Sequence, residues 1–234
     1  MPPPDYSVST WADDHRILAG KAASEPGRWR TSRTPYLREI MDCLSAQSIV
    51  NKIIFQKGAQ LGGTEVGNNW LGYIIHHSPA PILYVQPTVN VANNVSKQRV
   101  APMIEATEVL RQRVTPRRSR DSGNTLLVKE FPGGLLIMAG ANSAAGLRSM
   151  PIRFLFLDEV DRYQSDVEGE GDPIALAEKR TATFARSKEY MCSTPTIKDL
   201  SRIEKEYKAT DQRKYFVPCP HCGNYDTIHW SNIQ

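Results

Sequence analysis

The sequence predicts an α/β fold: a mainly parallel central sheet with helices on its faces. Three observations carry this expectation. Short apolar runs recur at 52–56, which is β-branched, at 82–86 and at 154–157, each the length of a buried strand. Stretches with helical apolar spacing stand between them. A glycine-rich turn joins the first run to a helix. The chain has 234 residues, enough for one sizeable domain with its own core.

The elements follow in order. An amphipathic stretch from Trp11 to Ala23 reads as a helix. Thr34 to Ser45 reads as a second, with Pro35 in its first turn. The strand Lys52-Ile53-Ile54-Phe55-Gln56 precedes the glycine-rich turn, and a helix runs from Thr64 to Ile75. Ile82-Leu83-Tyr84-Val85-Gln86 is the next strand, and 91–110 reads as one long helix. The runs 125–131 and 134–139 flank Pro132-Gly133 and signal a hairpin. Ile152 to Glu159 is a strand. An acidic, glycine-containing loop spans 166–172, and 172–186 reads as a helix entered through Pro173. Glu189 to Thr196 is a strand running into a turn. From Tyr215 the chain is extended and knuckle-like. Neither an internal repeat nor a low-complexity tract is present.

The glycine-rich turn is Lys57-Gly58-Ala59-Gln60-Leu61-Gly62-Gly63-Thr64. An ordinary P-loop reads G-x-x-x-x-G-K-[ST] between a strand and a helix. Its N–H groups wrap phosphates, its lysine reaches the β/γ oxygens and its hydroxyl binds magnesium. Here Gly63 occupies the usual lysine position and Lys57 the position of the first glycine. A lysine is a point charge on a long flexible stem, so it can reach the same oxygens from the start of the loop. Gly58, Gly62 and Gly63 allow close backbone approach, and Thr64 keeps the magnesium position. The alternative reading of the loop alone is a turn that binds nothing.

Downstream, Phe154-Leu155-Phe156-Leu157 ends in Asp158-Glu159, followed by Val160-Asp161. Carboxylates beside apolar surroundings are costly unless paired or metal-bound. A Walker B strand needs that ending: Asp158 for the magnesium shell, Glu159 to orient and deprotonate water. A third piece, Met191-Cys192-Ser193-Thr194-Pro195-Thr196, reads as a strand entering a Ser/Thr turn. Together the three segments predict a P-loop NTPase that binds a nucleoside triphosphate with magnesium and hydrolyses it.

The lysine-first loop, Phe-Leu-Phe-Leu-Asp-Glu-Val-Asp and Cys-Ser-Thr-Pro-Thr resemble the ATPase of tailed-phage large terminase subunits, in the lambda-like branch. The segments 33–42, 140–149 and 217–223 extend the resemblance, which covers the chain from about Pro26 onward. It implies an ASCE/RecA-like motor at 26–214, an N-terminal arm at 1–25, and at 215–234 the start of a linker toward a nuclease domain. Lys57, Gly62 and Thr64 take Walker A roles; Asp158 and Glu159 take Walker B roles. Ser193, Thr194 and Thr196 fall in the coupling motif, and Tyr36 lies where the family has an adenine-contacting segment, with packing after Pro35 as the alternative; Gln56 reads as a nucleotide contact or as a strand-end amide. Arg148 resembles an arginine finger acting on a neighbouring subunit, with DNA-phosphate contact as the alternative. Implied partners are double-stranded DNA, the small terminase subunit, a portal and procapsid, and further copies in a ring. The implied location is the host cytoplasm. The competing functions are a helicase-like nucleic-acid-dependent ATPase and a non-catalytic assembly or DNA-binding module with a degenerate site.

Net charge is +4, which permits a polyanionic partner without demanding one. Arg111, Arg113, Arg117, Arg118 and Arg120 crowd one stretch and read as a loop that touches DNA phosphates, or as a solvated loop. No apolar run has the length of a membrane span, and the first residues lack a signal-peptide pattern. Cys43 and Cys192 read as buried fillers in a reducing compartment. Cys219-Pro220-His221-Cys222-Gly223 is a C-x-x-C knuckle, half of a zinc site whose remaining ligands the family supplies further on. His229 is the later candidate within this chain.

Overall fold

The computed structural model describes residues 5–20, 25–115, 124–148 and 150–228. Helix α1 (Val8–His15) leads through β1 (Ile17–Leu18) and β2 (Gly27–Arg28), a short antiparallel pair, to α2 (Arg38–Cys43). Then come β3 (Lys52–Gln56), α3 (Gly63–His76), β4 (Ile82–Gln86) and α4 (Val89–Val95). Helices α5 (Ala101–Ala106) and α6 (Glu108–Arg111) precede the hairpin β5 (Val128–Phe131) and β6 (Gly134–Gly140). The remainder is α7 (Ala144–Leu147), β7 (Phe154–Asp158), α8 (Pro173–Glu178), β8 (Lys188–Ser193), α9 (Arg202–Lys208), β9 (Val217–Pro218) and β10 (Tyr225–Asp226).

The six central strands lie in the order β3-β8-β7-β4-β6-β5, parallel throughout except for β5 against β6. This is the α/β, mainly parallel sheet that the sequence predicts. Strand β8 stands between β3 and β7, so the segments that precede the glycine-rich loop and Asp158 flank a third functional strand. Gln56 pairs in register with Ser193, and Asp158 with Cys192. The carboxyl ends of three strands therefore meet at one end of the sheet.

Strands β4 and β7 are buried along their whole length, as parallel strands covered on both faces must be. Side chains alternate between two cores. Tyr84, Phe156 and Tyr190 stack on one face, with ring centroids 4.2 and 5.2 Å apart. Leu83, Val85, Leu155, Leu157 and Met191 fill the other. Helix α3 lies close against the first face: a Cβ on Gly67 would sit 2.1 Å from the Phe156 ring. Helix α1 packs on α3 in turn, with Trp11 over Gly72 and its indole N–H donating to His76 Nδ1 at 3.0 Å.

Four helices end short of the sequence expectation, three of them for a local reason. The segment 34–45 opens as a 3₁₀ turn, Pro35–Leu37, because Thr34 is not helical (φ −132°, ψ 62°). The long helix over 91–110 is interrupted by a π turn, Ser96–Val100, just before Pro102, whose missing N–H breaks the α ladder. It is interrupted again at Thr107, which turns extended. Helix α8 stops at Glu178 because the Arg180 carbonyl accepts the Ile152 N–H at 3.0 Å. Helix α1 ends at His15; of the predicted stretch to Ala23, residues 21–23 lie outside the described ones.

Helix α9 has no counterpart among the sequence expectations. Its signal was Ser201 followed by Glu204: the Ser201 hydroxyl accepts the Glu204 N–H at 3.2 Å. Among the described residues no helix is long and apolar enough to cross a membrane.

Candidate nucleotide site

The glycine-rich loop leaves β3 and enters α3, whose N-terminal turn opens at Gly63. Gly62 adopts φ +80°, a conformation that favours glycine. The Leu37 side chain sits beneath it, 2.8 Å from where a Cβ would stand, so the Pro35–Leu37 turn packs directly on the loop. Tyr36, in that turn, is half-buried and meets Tyr215 edge-on at 6.0 Å.

The displaced lysine has a visible path. A Cβ on Gly63 would lie 2.6 Å from Lys57 Cε and 2.7 Å from Cδ. The Lys57 stem thus crosses the space that a side chain at the ordinary lysine position would fill. Glycine at 63 and lysine at 57 are one arrangement. The ammonium donates to Glu159 Oε1 at 2.8 Å and to Thr194 Oγ1 at 3.4 Å, with only 6% of the Lys57 side chain exposed. Residues from the loop, from the end of β7 and from the end of β8 converge on that one cation.

Asp158 lies beside them and is 3% exposed. Thr64 Oγ1 donates to it at 3.1 Å, Tyr84 OH at 3.2 Å and Gln86 Nε2 at 3.0 Å, all to Oδ2; the Cys192 thiol donates to Oδ1 at 3.1 Å. Burial pushes its carboxyl above the ordinary range, hydrogen bonds from Gln86, Cys192 and Thr64 pull it back only partly, and neighbouring Glu159 adds to the rise. All four donors are neutral. A buried carboxylate with neutral donors and a hydroxyl at its side is suited to a hard divalent cation, which takes oxygen ligands. Thr64 and Asp158 therefore fit magnesium. Gln86 and Tyr84, absent from the sequence reading of the site, hold the Asp158 carboxylate in place. Only their position at the end of a buried strand hinted at it.

Glu159 has φ +56° and ψ +49°, left-handed values that cost a non-glycine residue roughly 1–3 kcal/mol. The Glu159 N–H is tied to the Cys192 carbonyl at 2.8 Å, which helps to hold that geometry. Its carboxylate is turned toward Lys57, and Arg162 approaches its other oxygen at 3.9 Å. Ser193 is fully buried and accepts the Asp161 N–H at 3.2 Å. Gln56 ends β3 with its side-chain oxygen buried and without a partner among the described residues. Gly58 lies beside Leu61 in the loop.

Lys57, Thr64, Asp158, Glu159 and Thr194 are thus brought together. Arg148 is not among them: half-exposed at the end of α7, it pairs with Glu170 at 2.7 Å. Cys219 and Cys222 stand on the turn between β9 and β10, where Gly223 N–H donates to the Cys219 carbonyl. N–H groups of Cys222 and His221 draw the Cys219 thiol below its ordinary value. Among the described residues no group of three or more His, Cys, Asp or Glu could hold a metal. His229 and the arginines at 117, 118 and 120 lie outside the described residues. Arg111 ends α6, close to Arg113.

Residues 23–234 match the family described as phage terminase large subunit gpA, ATPase domain. This chain belongs to that family. It is 31% identical over 226 residues to the terminase large subunit of Enterobacteria phage P21, covering 94% of this chain and 34% of that protein. It is 29% identical to the terminase large subunit of Escherichia phage lambda, over 100% of this chain and 36% of that protein. The chain therefore spans about a third of the length of these curated relatives. The crystal structure of the HK97 bacteriophage large terminase shares the fold, with TM-score 0.67 over 88% of this chain and 42% of that one, at 13% identity. The family resemblance and the P-loop fold expected from the sequence are thus both found, and the ATPase domain brings with it the use of ATP and magnesium.

Proposed function

We propose that this ATPase domain hydrolyses ATP with Lys57, Thr64, Asp158 and Glu159, and that the reaction drives double-stranded DNA into a viral procapsid. The observation that carries the site assignment is the Lys57 ammonium between Glu159 and Thr194, with Thr64 and Asp158 alongside. Before nucleotide enters, Lys57 neutralises Glu159. An arriving polyphosphate competes for that ammonium, and Lys57 turns to the β/γ oxygens. Glu159 is then free to accept a proton from the attacking water, whose oxygen bonds to the γ phosphorus as the bridging P–O bond breaks. The electron pair of that bond leaves with ADP.

Thr64 and Asp158 would hold magnesium, which supplies charge neutralisation at the phosphates when bound. The backbone N–H groups after Gly62 and the N-terminus of α3 face the phosphates. Tyr36 and Gln56 lie on the base side, supported by the packing of Leu37 on the loop. Ser193 ends the strand between Lys57 and Glu159, Thr194 follows it, and both sense the γ-phosphate.

Arg148 acts in trans: a neighbouring copy presents it to the transferring phosphoryl group once Glu170 releases it. The working assembly is a homo-oligomeric ring that engages the small terminase subunit and a portal in the host cytoplasm. Cys219 and Cys222 supply two thiolates for zinc, and four-coordination draws two ligands from elsewhere.

The test is steady-state ATP hydrolysis with magnesium, with and without double-stranded DNA, across a range of protein concentration. Specific activity rising with concentration, and lost in Lys57→Ala, Glu159→Ala and Arg148→Ala, is expected. Full turnover in Lys57→Ala would refute the site assignment; activity independent of concentration and of Arg148 would refute the trans role.

A further inference from the structure

Asp161 lies two residues beyond Glu159, on the 3₁₀ turn Val160–Arg162. Its carboxylate gathers donors from two separate segments. Oδ2 accepts the Thr196 N–H at 2.9 Å and the Thr196 hydroxyl at 3.0 Å. Oδ1 accepts the Ile203 N–H, in the first turn of α9, at 2.8 Å. The backbone N–H of Asp161 donates to Ser193 Oγ at 3.2 Å. One residue thus fastens the end of β8, the turn that follows it and the start of α9.

These donors outweigh the cost of partial burial and hold the carboxyl below its ordinary range: Ile203 N–H, the Ser201 side chain, and Thr196 through both N–H and hydroxyl. Hydrogen bonds to an ionised acceptor are the strong ones. Beyond its first turn α9 is tied to the strand that leads into the glycine-rich loop, through Glu206 and Lys52 at 2.9 Å. Ile203 is fully buried in the second core.

The position of Asp161 relative to Glu159 gives this clamp a further consequence. Only Val160 separates the two, and Glu159 is held in a left-handed conformation with its carboxylate on Lys57. When a phosphate draws Lys57 away, Glu159 loses the contact that turns it inward. Any backbone adjustment passes through a single 3₁₀ turn to Asp161, and from there to Thr196 and α9.

We propose that Asp161 is a positioning residue that makes the turn at 194–196 and the first turn of α9 follow the state of Glu159. The inference rests on the nucleotide reading of the Lys57–Glu159 cluster. A purely structural cap would hold α9 equally in the presence and absence of nucleotide. A transmitting residue makes α9 report on nucleotide.

The experiment is hydrogen–deuterium exchange of the whole chain with and without magnesium and a non-hydrolysable ATP analogue, in the parent protein, Asp161→Asn and Thr196→Val. In the parent, nucleotide changes exchange both in peptides covering 57–66 and in those covering 194–206. In Asp161→Asn the change at 57–66 remains and the change at 194–206 is lost. Thr196→Val leaves the bond to Ile203 intact and keeps the test valid if Asp161→Asn does not fold; it weakens the response at 194–206. A full response at 194–206 in either variant overturns the proposal, as does no response there in the parent. No change at 57–66 in the parent refutes nucleotide binding itself, and the inference falls with it. The loop peptides separate that failure from the others.

Discussion

Replacing Gly63 by alanine separates the displaced-lysine arrangement from the stability of the fold. The added Cβ would lie 2.6 Å from Lys57 Cε, 2.7 Å from Cδ and 3.3 Å from Cys192 Sγ. The first two atoms belong to a flexible stem, so Lys57 moves aside rather than the backbone. Its ammonium is then carried off its path across Gly63 and loses the bond it would make to the β/γ oxygens of a bound nucleotide. A hydrogen bond to a charged partner contributes about 1.5–3 kcal/mol net, and each 1.4 kcal/mol is about tenfold in affinity. Nucleotide Kd therefore rises by about 10- to 150-fold. Stability moves little: alanine in a helix gains about 0.5–1 kcal/mol over glycine, which offsets the contact with Cys192. Titration calorimetry with a non-hydrolysable analogue gives Kd, and thermal denaturation gives Tm. An unchanged Kd would falsify the path drawn for Lys57. A large fall in Tm would show that the cost lies in the fold. The exchange Lys57→Gly with Gly63→Lys restores the ordinary loop order and is expected to recover most of the affinity lost in Lys57→Gly alone.

Four further outcomes are expected. Asp158→Asn removes a carboxylate that burial already holds above its ordinary range; Tm stays level or rises, while magnesium no longer strengthens nucleotide binding in calorimetry. Gly67→Ala drives a methyl to within 2.1 Å of the Phe156 ring; overpacking costs about 1–3 kcal/mol, seen as a lower midpoint in urea, and a wild-type midpoint would contradict the packing of α3. Lys188 donates to the carbonyls of Cys43, Ser48 and Val50; Lys188→Met leaves these part-buried carbonyls without that donor, costing about 1–3 kcal/mol, and an unchanged Tm would show that Lys188 does not hold that loop. His76 is pushed down to about 4, by burial first and then by His15, Arg113 and His77. Its folded value lies below the unfolded 6.5, so the unfolded chain takes up the proton first. Stability is full above the unfolded value and declines as pH falls from there toward 4, by about 1–3 kcal/mol after allowance for solvent screening. Protonation at Nδ1 also breaks the bond from Trp11. His76→Gln flattens that slope in thermal melts; an unaltered slope assigns it elsewhere, with His15, also lowered by burial, the next candidate.

Which parts of this fold were legible in sequence follows from physics. Buried parallel strands read as continuous apolar runs, so β3, β4 and β7 were evident to within a residue or two. Helix ends were not, because they depend on partners far away in the chain. Helix α8 stops where Arg180 meets Ile152, and nothing within 172–186 announces it. The residue types at 57–64 and 158–159 named the chemistry expected of them. That Lys57 reaches Glu159, 102 residues on, across the bare face of Gly63, is a contact between elements. Arg148, read in sequence as a finger for a neighbouring subunit or a DNA-phosphate contact, pairs in the fold with Glu170 and lies outside that cluster.

By itself the sequence determined the classes of element, the glycine-rich loop between strand and helix, the carboxylate pair and the family. These are local properties, set by periodicity, glycine placement and residue type within a few positions. Tertiary structure alone decided that β8 lies between β3 and β7. It also decided that Tyr84 and Gln86 hold Asp158, and that Asp161 joins Thr196 to Ile203. Strand order and cross-chain hydrogen bonds arise from how separate amphipathic faces bury one another, and no window of sequence contains both partners.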